Sequence, residues 1–171
     1  HALYTLTYKI NGEGEVLVNG EYRPDPERIQ HEFMPKFGMR LALDSSLSQI
    51  DWYGRGPFEN YPDRKTAAKI GHYQKTLESF QVPYISATDS TNRSDVRHLS
   101  FSNEQVKLSV EGLQPFNFRA WPYDESDLYS PMNREERYST VNMVRRKHYY
   151  ELPERDLINV NLDLAIHGVG G

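Results

Sequence analysis

The chain has 171 residues, with 20 basic and 24 acidic side chains and a formal charge of −4. That length is close to one ordinary domain, able to bury a sizeable core without disulfides or metal. Cys is absent, which excludes a disulfide scaffold, a thiolate metal site and a Cys nucleophile. The balanced charge lacks the basic excess that neutralises phosphates, and no apolar run reaches about 20 residues, so neither nucleic acid nor membrane is an expected partner.

The dominant hydrophobic period is two. Tyr4, Leu6, Tyr8 and Ile10 alternate with Thr5, Thr7 and Lys9, and Asn11-Gly12-Glu13-Gly14 leads into Val16 and Val18, which predicts a hairpin. Met39, Leu41 and Leu43 alternate next, then Ile50 and Trp52. After the turn Ser102-Asn103-Glu104, Val106, Leu108 and Val110 form one expected strand, and Phe116, Phe118 and Ala120 a separate short one. Ile158, Val160, Leu162, Leu164 and Ile166 alternate with Asn159, Asn161, Asp163 and His167, which predicts a strand with one buried and one polar face. Helix is scarce. Asp124 to Tyr129 reads as one short acidic-led turn, and the basic stretch Met132 to Lys147 as a solvated excursion. No repeat or linker divides the chain, so residues 1–171 are read as one all-β, antiparallel domain. His1 and the terminal Gly168-Val169-Gly170-Gly171 read as cut ends, and the chain as an excised fragment whose compartment stays unassigned.

Two segments are dense in chemistry. Trp52 to Arg64 interleaves glycines and prolines with Arg55, Glu59, Asn60, Asp63 and Arg64. Such a stiff loop can present Arg55, Glu59 and Asn60 to a polyol, and the same groups can equally hydrogen-bond one another to hold the loop. Asn92, Arg93, Asp95 and Arg97 alternate in a way that lines one strand face, again either as planar donors and acceptors for a sugar or as a buried network. Glu59 and Asp63 carry no sign of the separation a glycosidase pair requires, and Asp63-Arg64 reads as part of an ion-pair network. The histidines show no metal-ligand spacing, and no Gly-x-Ser-x-Gly elbow occurs.

The run Trp-Tyr-Gly-Arg-Gly-Pro-Phe-Glu-Asn-Tyr-Pro-Asp-Arg at 52–64, then Pro83-Tyr84, then Asn-Arg-Ser-Asp-Val-Arg at 92–97, resembles the C-terminal small-chain domain of glycoside hydrolase family 2 β-galactosidases. Trp121-Pro122-Tyr123, His148, Glu151-Leu152-Pro153 and the closing 161–171 run extend the resemblance to nearly the whole chain. It implies an antiparallel β-supersandwich of the galactose mutarotase-like kind, here an incomplete copy lacking its first strands. It also implies that the catalytic glutamates and the divalent-metal (Mg) ligands of the parent lie in another domain, leaving no catalytic residue, metal ligand or cofactor here. A tryptophan that stacks on the sugar follows the Gly-Val-Gly-Gly turn in the family, beyond Gly171. Residues 130–146 look inserted, and Tyr150 stands where many relatives carry a second histidine.

The reading is therefore a non-catalytic domain that completes the active-site wall of a β-galactosidase acting on terminal β-D-galactosides. Its expected partners are the parent's other domains, with the substrate met through the parent site and the parent a homo-oligomer. Arg55, Glu59, Asn60, Asn92 and Arg97 are the candidate substrate-binding residues. An autonomous carbohydrate-binding or aldose-epimerase-like domain is the alternative.

Overall fold

The structure, a computed structural model, describes residues 2–27, 36–128 and 148–167. The expectations for residues 130–146, for the glycine turn at 168–171 and for His1 and His31 lie outside them. The chain divides into two compact units, His1–Met34 and Pro35–Gly171.

The first unit is the expected hairpin. Strand β1 (Ala2–Ile10) pairs antiparallel with β2 (Val16–Pro24), and Tyr4 faces Tyr22, Leu6 Gly20, Tyr8 Val18 and Ile10 Val16. Asn11 closes the turn: its Oδ1 accepts from the Glu13 and Glu15 amides at 3.0 Å each. Gly14, at φ +87°, takes the left-handed conformation that a side chain disfavours. One face of this ribbon is apolar by register, and its large side chains are exposed.

The second unit is a six-stranded antiparallel sheet in the order β3-β8-β7-β6-β4-β5. The strands are β3 (Lys36–Asp44), β4 (Gln49–Gly56), β5 (Lys69–Thr76), β6 (Arg93–Ser102), β7 (Lys107–Trp121) and β8 (Leu157–Ile166). A single turn of helix, α1 (Leu77–Phe80), follows β5, with Thr76 and Ser79 forming a capping box. The acidic-led turn expected near 124 is a 3-10 turn at Glu125–Leu128.

One sheet face is the main core. Ile50, Trp52, Leu99, Phe101, Phe118, Ala120, Ile158 and Val160 are fully buried there. Trp52 meets Phe80 edge-on at 5.7 Å and Phe118 at 5.9 Å between ring centroids. Burying eight such side chains supplies the dominant stabilisation, about 1.5–3 kcal/mol for each large one.

Three expectations need correction. Residues 107–121 form one strand, not two; the chain stays in the sheet because a bulge at 112–115 absorbs the mismatch with β6, whose partners jump from Val96↔Phe116 to His98↔Glu111. Alternation over 92–97 also fails. Asp95 has φ 53°, and the register of β6 shifts on both sides of Val96. Arg93 accordingly lies against Phe80, 4.2 Å from its centroid, whereas Arg97 lies over Tyr53 at 5.9 Å, on the other face of β4. Finally, the polar face of β8 is not solvated: Asn159, Asn161 and Asp163 are at most 6% exposed. A second cluster of Ala87, Trp121, Tyr123 and Leu128, joined by Tyr149 and Leu152, lies beyond the β7 end of that polar face.

Candidate functional site

The loop leaving β4 is held by its own side chains. Glu59, with a side chain 6% exposed, accepts from Arg64 Nη2 at 2.6 Å, from the Tyr84 hydroxyl at 2.6 Å and from the Thr91 amide. Three donors on one carboxylate fix where the loop sits against residues 84–91. Asn60 is fully buried and uses both ends of its amide: Oδ1 accepts from the Ser94 amide and hydroxyl, and Nδ2 donates to Phe58 O at 3.0 Å. Asn60 and Asn92 also exchange backbone and side-chain bonds, Asn60 N to Asn92 O at 2.9 Å and Asn92 Nδ2 to Asn60 O at 2.7 Å. Arg55 donates to Asp95, to Lys65 O and to Ala68 O at 2.8 Å, while Lys65 Nζ adds a second cation to Asp95 at 3.1 Å. The Arg55 and Lys65 bonds hold the Asp95 carboxyl below its usual range, against the opposing effect of burial.

Arg93 is 1% exposed, and burial lowers its guanidinium to about 10 despite nearby Glu59. Two aromatic rings and the carbonyls of Thr91 and Asn92 receive it, the Thr91 bond at 2.7 Å. It therefore acts as a core residue with a charged head turned on the backbone.

Tyr61 connects this loop to the polar face of the sheet. It is 2% exposed, and its hydroxyl reaches Asp89 Oδ1 at 3.4 Å. Burial, then Asp89 and Glu59, push that phenol far above its ordinary value. Asp89 in turn pairs with Arg119, which is fully buried and lies 4.7 Å from the Trp121 ring. The register sets Asn117 opposite Asp163, Arg119 opposite Asn161 and Trp121 opposite Asn159. With its amide oxygen turned inward, Asn161 accepts from Lys36 Nζ at 2.7 Å and Arg119 Nη2 at 2.9 Å. Asp163 is 1% exposed, with Lys36 Nζ and Arg119 Nε each 4.0 Å away. Burial raises the Asp163 carboxyl to about 6; Lys36 and Arg119 oppose the rise, and Asp89 and Glu125 add to it.

A sheet face carrying Arg, Asn, Asp, Trp and Tyr beside a stiff loop has the donors, acceptors and rings that recognise hydroxyls. The cations Lys36 and Arg119 turn its carboxylates away from metal binding, and among the described residues no three His, Asp or Glu groups are arranged around an ion.

Comparison with known proteins decides the family. Residues 2–171 match the family described as β-galactosidase small chain. The chain belongs to that family. It is 37% identical to a β-galactosidase of Pseudoalteromonas haloplanktis over 165 residues, covering 96% of this chain and 14% of that protein. A Vibrio cholerae β-galactosidase is 34% identical over 164 residues, and one from Priestia megaterium 29% over 167, each again matched over 14% of its length. This chain thus spans about a seventh of the length of these curated relatives.

Glu59, Asn60 and Asn92 come together through the loop network, Arg55 is held separately by Asp95, Lys65 O and Ala68 O, and Arg97 donates to Asp95 O and lies over Tyr53. Asp63 is exposed; the partner of Arg64 is Glu59. Sequence reasoning passed over Lys36, Asp89, Arg119 and Asp163 as site residues. The available signal was the run of polar side chains Asn159, Asn161 and Asp163 alternating with apolar ones, together with the lone Arg119 between Phe118 and Ala120.

Proposed function

We propose that this chain is a non-catalytic β-sandwich domain of a β-galactosidase that hydrolyses terminal β-D-galactosides, walling the active site and packing against the parent's other domains. The observation that carries it is coverage: nearly all of this chain aligns with about 14% of each β-galactosidase, so most of each enzyme lies elsewhere. The parent's catalytic carboxylates and metal are assigned to those other domains, and the parent is read as a homo-oligomer.

In this reading Arg55, Glu59 and Asn60 act through the shape they give the loop, because protein groups already engage them; Asn92 donates to Asn60 O, while its buried Oδ1 has no hydrogen-bond partner among the described residues. Arg97, exposed on the sheet, is the member with a guanidinium open to a ligand.

The test is reconstitution. The parent polypeptide is expressed without this segment, with and without the segment supplied in trans, and turnover of a nitrophenyl β-galactoside is measured. Activity restored by the added chain supports the role. Full activity without it overturns the role, and specific galactose binding near 100 μM by the chain alone favours an autonomous carbohydrate-binding domain.

A further inference from the structure

The cluster around Asp163 is made of buried groups whose hydrogen-bonding capacity is unspent. Both Asp163 carboxylate oxygens, Asn117 Oδ1 and Arg119 Nε have no partner among the described residues. Such groups are costly when left unmade, most of all when charged, and buried polar atoms in folded proteins are almost always satisfied. Here they are neighbours. Asn117 opposes Asp163 across β7 and β8 and donates Nδ2 to the Asp163 carbonyl at 3.2 Å.

The spacing says what is missing. Arg119 Nε and Lys36 Nζ each stand 4.0 Å from Asp163 Oδ2, too far for a direct hydrogen bond. An oxygen about 2.8 Å from both Nε and Oδ2 would see them at an angle of about 90°, an acceptable geometry for one bridging atom. That oxygen must accept from Arg119 and donate to Asp163. A simple anion has no proton to give, and a metal cation would face two positive side chains. A hydroxyl does both.

We propose that Asn117, Arg119 and Asp163 form the floor, and Lys36 the rim, of a site for a hydroxyl oxygen. The occupant is solvent water or a hydroxyl of a sugar or other polyol, the second source resting on the function proposed above. Floor and rim differ in access: the Arg119 and Asp163 side chains are 0% and 1% exposed, those of Lys36, Asp89 and Glu125 28%, 29% and 41%. A larger polyol would therefore enter by displacing the long, flexible side chains of Lys36 and Glu125.

The experiment is a crystal structure of this chain at about 1.5 Å, grown without polyols, beside a second crystal soaked in galactose. A single ordered oxygen within about 3.2 Å of both Arg119 Nε and an Asp163 oxygen supports the site. Water there in both crystals names solvent as the occupant; a ring hydroxyl in the soaked crystal names the sugar. Arg119 and Asp163 closed into a direct ion pair, with no oxygen between them, overturns the site and leaves the reconstitution result untouched. In solution, the Arg119 Nε–H of the unmodified chain should show a cross-peak to long-lived water, and its absence counts against the site. Asp163→Asn, which keeps an acceptor, should retain that peak, and Asp163→Leu should lose it.

Discussion

At the scale of single residues, burial decides which member of each ion pair matters. The Arg64 side chain is 55% exposed and its partner Glu59 6%. Arg64→Ala therefore removes a screened contact, and a loss of about 1 kcal/mol or less is expected. Glu59→Ala leaves the Arg64, Tyr84 and Thr91 donors without their acceptor, and about 3 kcal/mol is expected. Urea unfolding of both variants tests the order: equal losses would mean that the loop does not depend on the Glu59 carboxylate. Asp163 carries a pH signature. Its carboxyl is raised to about 6 in the fold against an ordinary value near 3.8, so folding favours its protonated form. That contribution is complete below about pH 4 and is lost as pH rises through 4 to 6, a difference of about 3 kcal/mol at neutral pH. Asp163→Asn should thus raise the melting temperature at pH 8 and change it little at pH 4. A variant that is equally or less stable than the parent at pH 8 would show that Lys36 and Arg119 outweigh the burial.

At the scale of elements, β8 is the strand on which the second unit depends. It lies between β3 and β7, with Ile158 and Val160 in the core and Asn159, Asn161 and Asp163 under the opposite cover. Its pairing with β3 shifts register between Phe37 and Gly38, where the two backbones close up. A Cβ on Gly38 would stand 2.2 Å from the Leu162 carbonyl oxygen and 2.6 Å from the Asp163 Cα. Backbone cannot yield there as a flexible side chain can. Gly38→Ala should cost about 2 kcal/mol or more, read as a lower denaturation midpoint with an unchanged slope. Wild-type stability in that variant would mean that β3 re-registers at low cost.

At the scale of the molecule, a chain matching a seventh of each relative should lack the parent's chemistry. The isolated domain is expected to show no turnover of nitrophenyl β-galactoside above background. Turnover that Glu59→Gln abolishes would sink this view. The hairpin of the first unit presents Leu3, Tyr4, Leu6, Tyr8, Ile10, Val16 and Leu17 as exposed side chains, and a two-stranded ribbon is at best marginally stable without an apolar cover.

The period-two alternation was enough to determine the hairpin, β3, β4, β8 and the core residues Ile50, Trp52, Phe118, Ile158 and Val160, because apolar spacing is set locally by the pleat; β5 carried no such signal. The motif at 52–64 likewise carried the family, since its glycines, prolines and charges occur together in that order. What the sequence could not decide was where the polar residues go. Asn159, Asn161 and Asp163 have the spacing of a solvated face, and only the burial of that face makes them interior. The bulge in β7 and the left-handed Asp95 were hidden for a related reason: a strand's register depends on its partner, not on its own residues. Asp89, Arg119 and Asp163 are far apart in the chain, and tertiary structure alone brings them into one charged cluster.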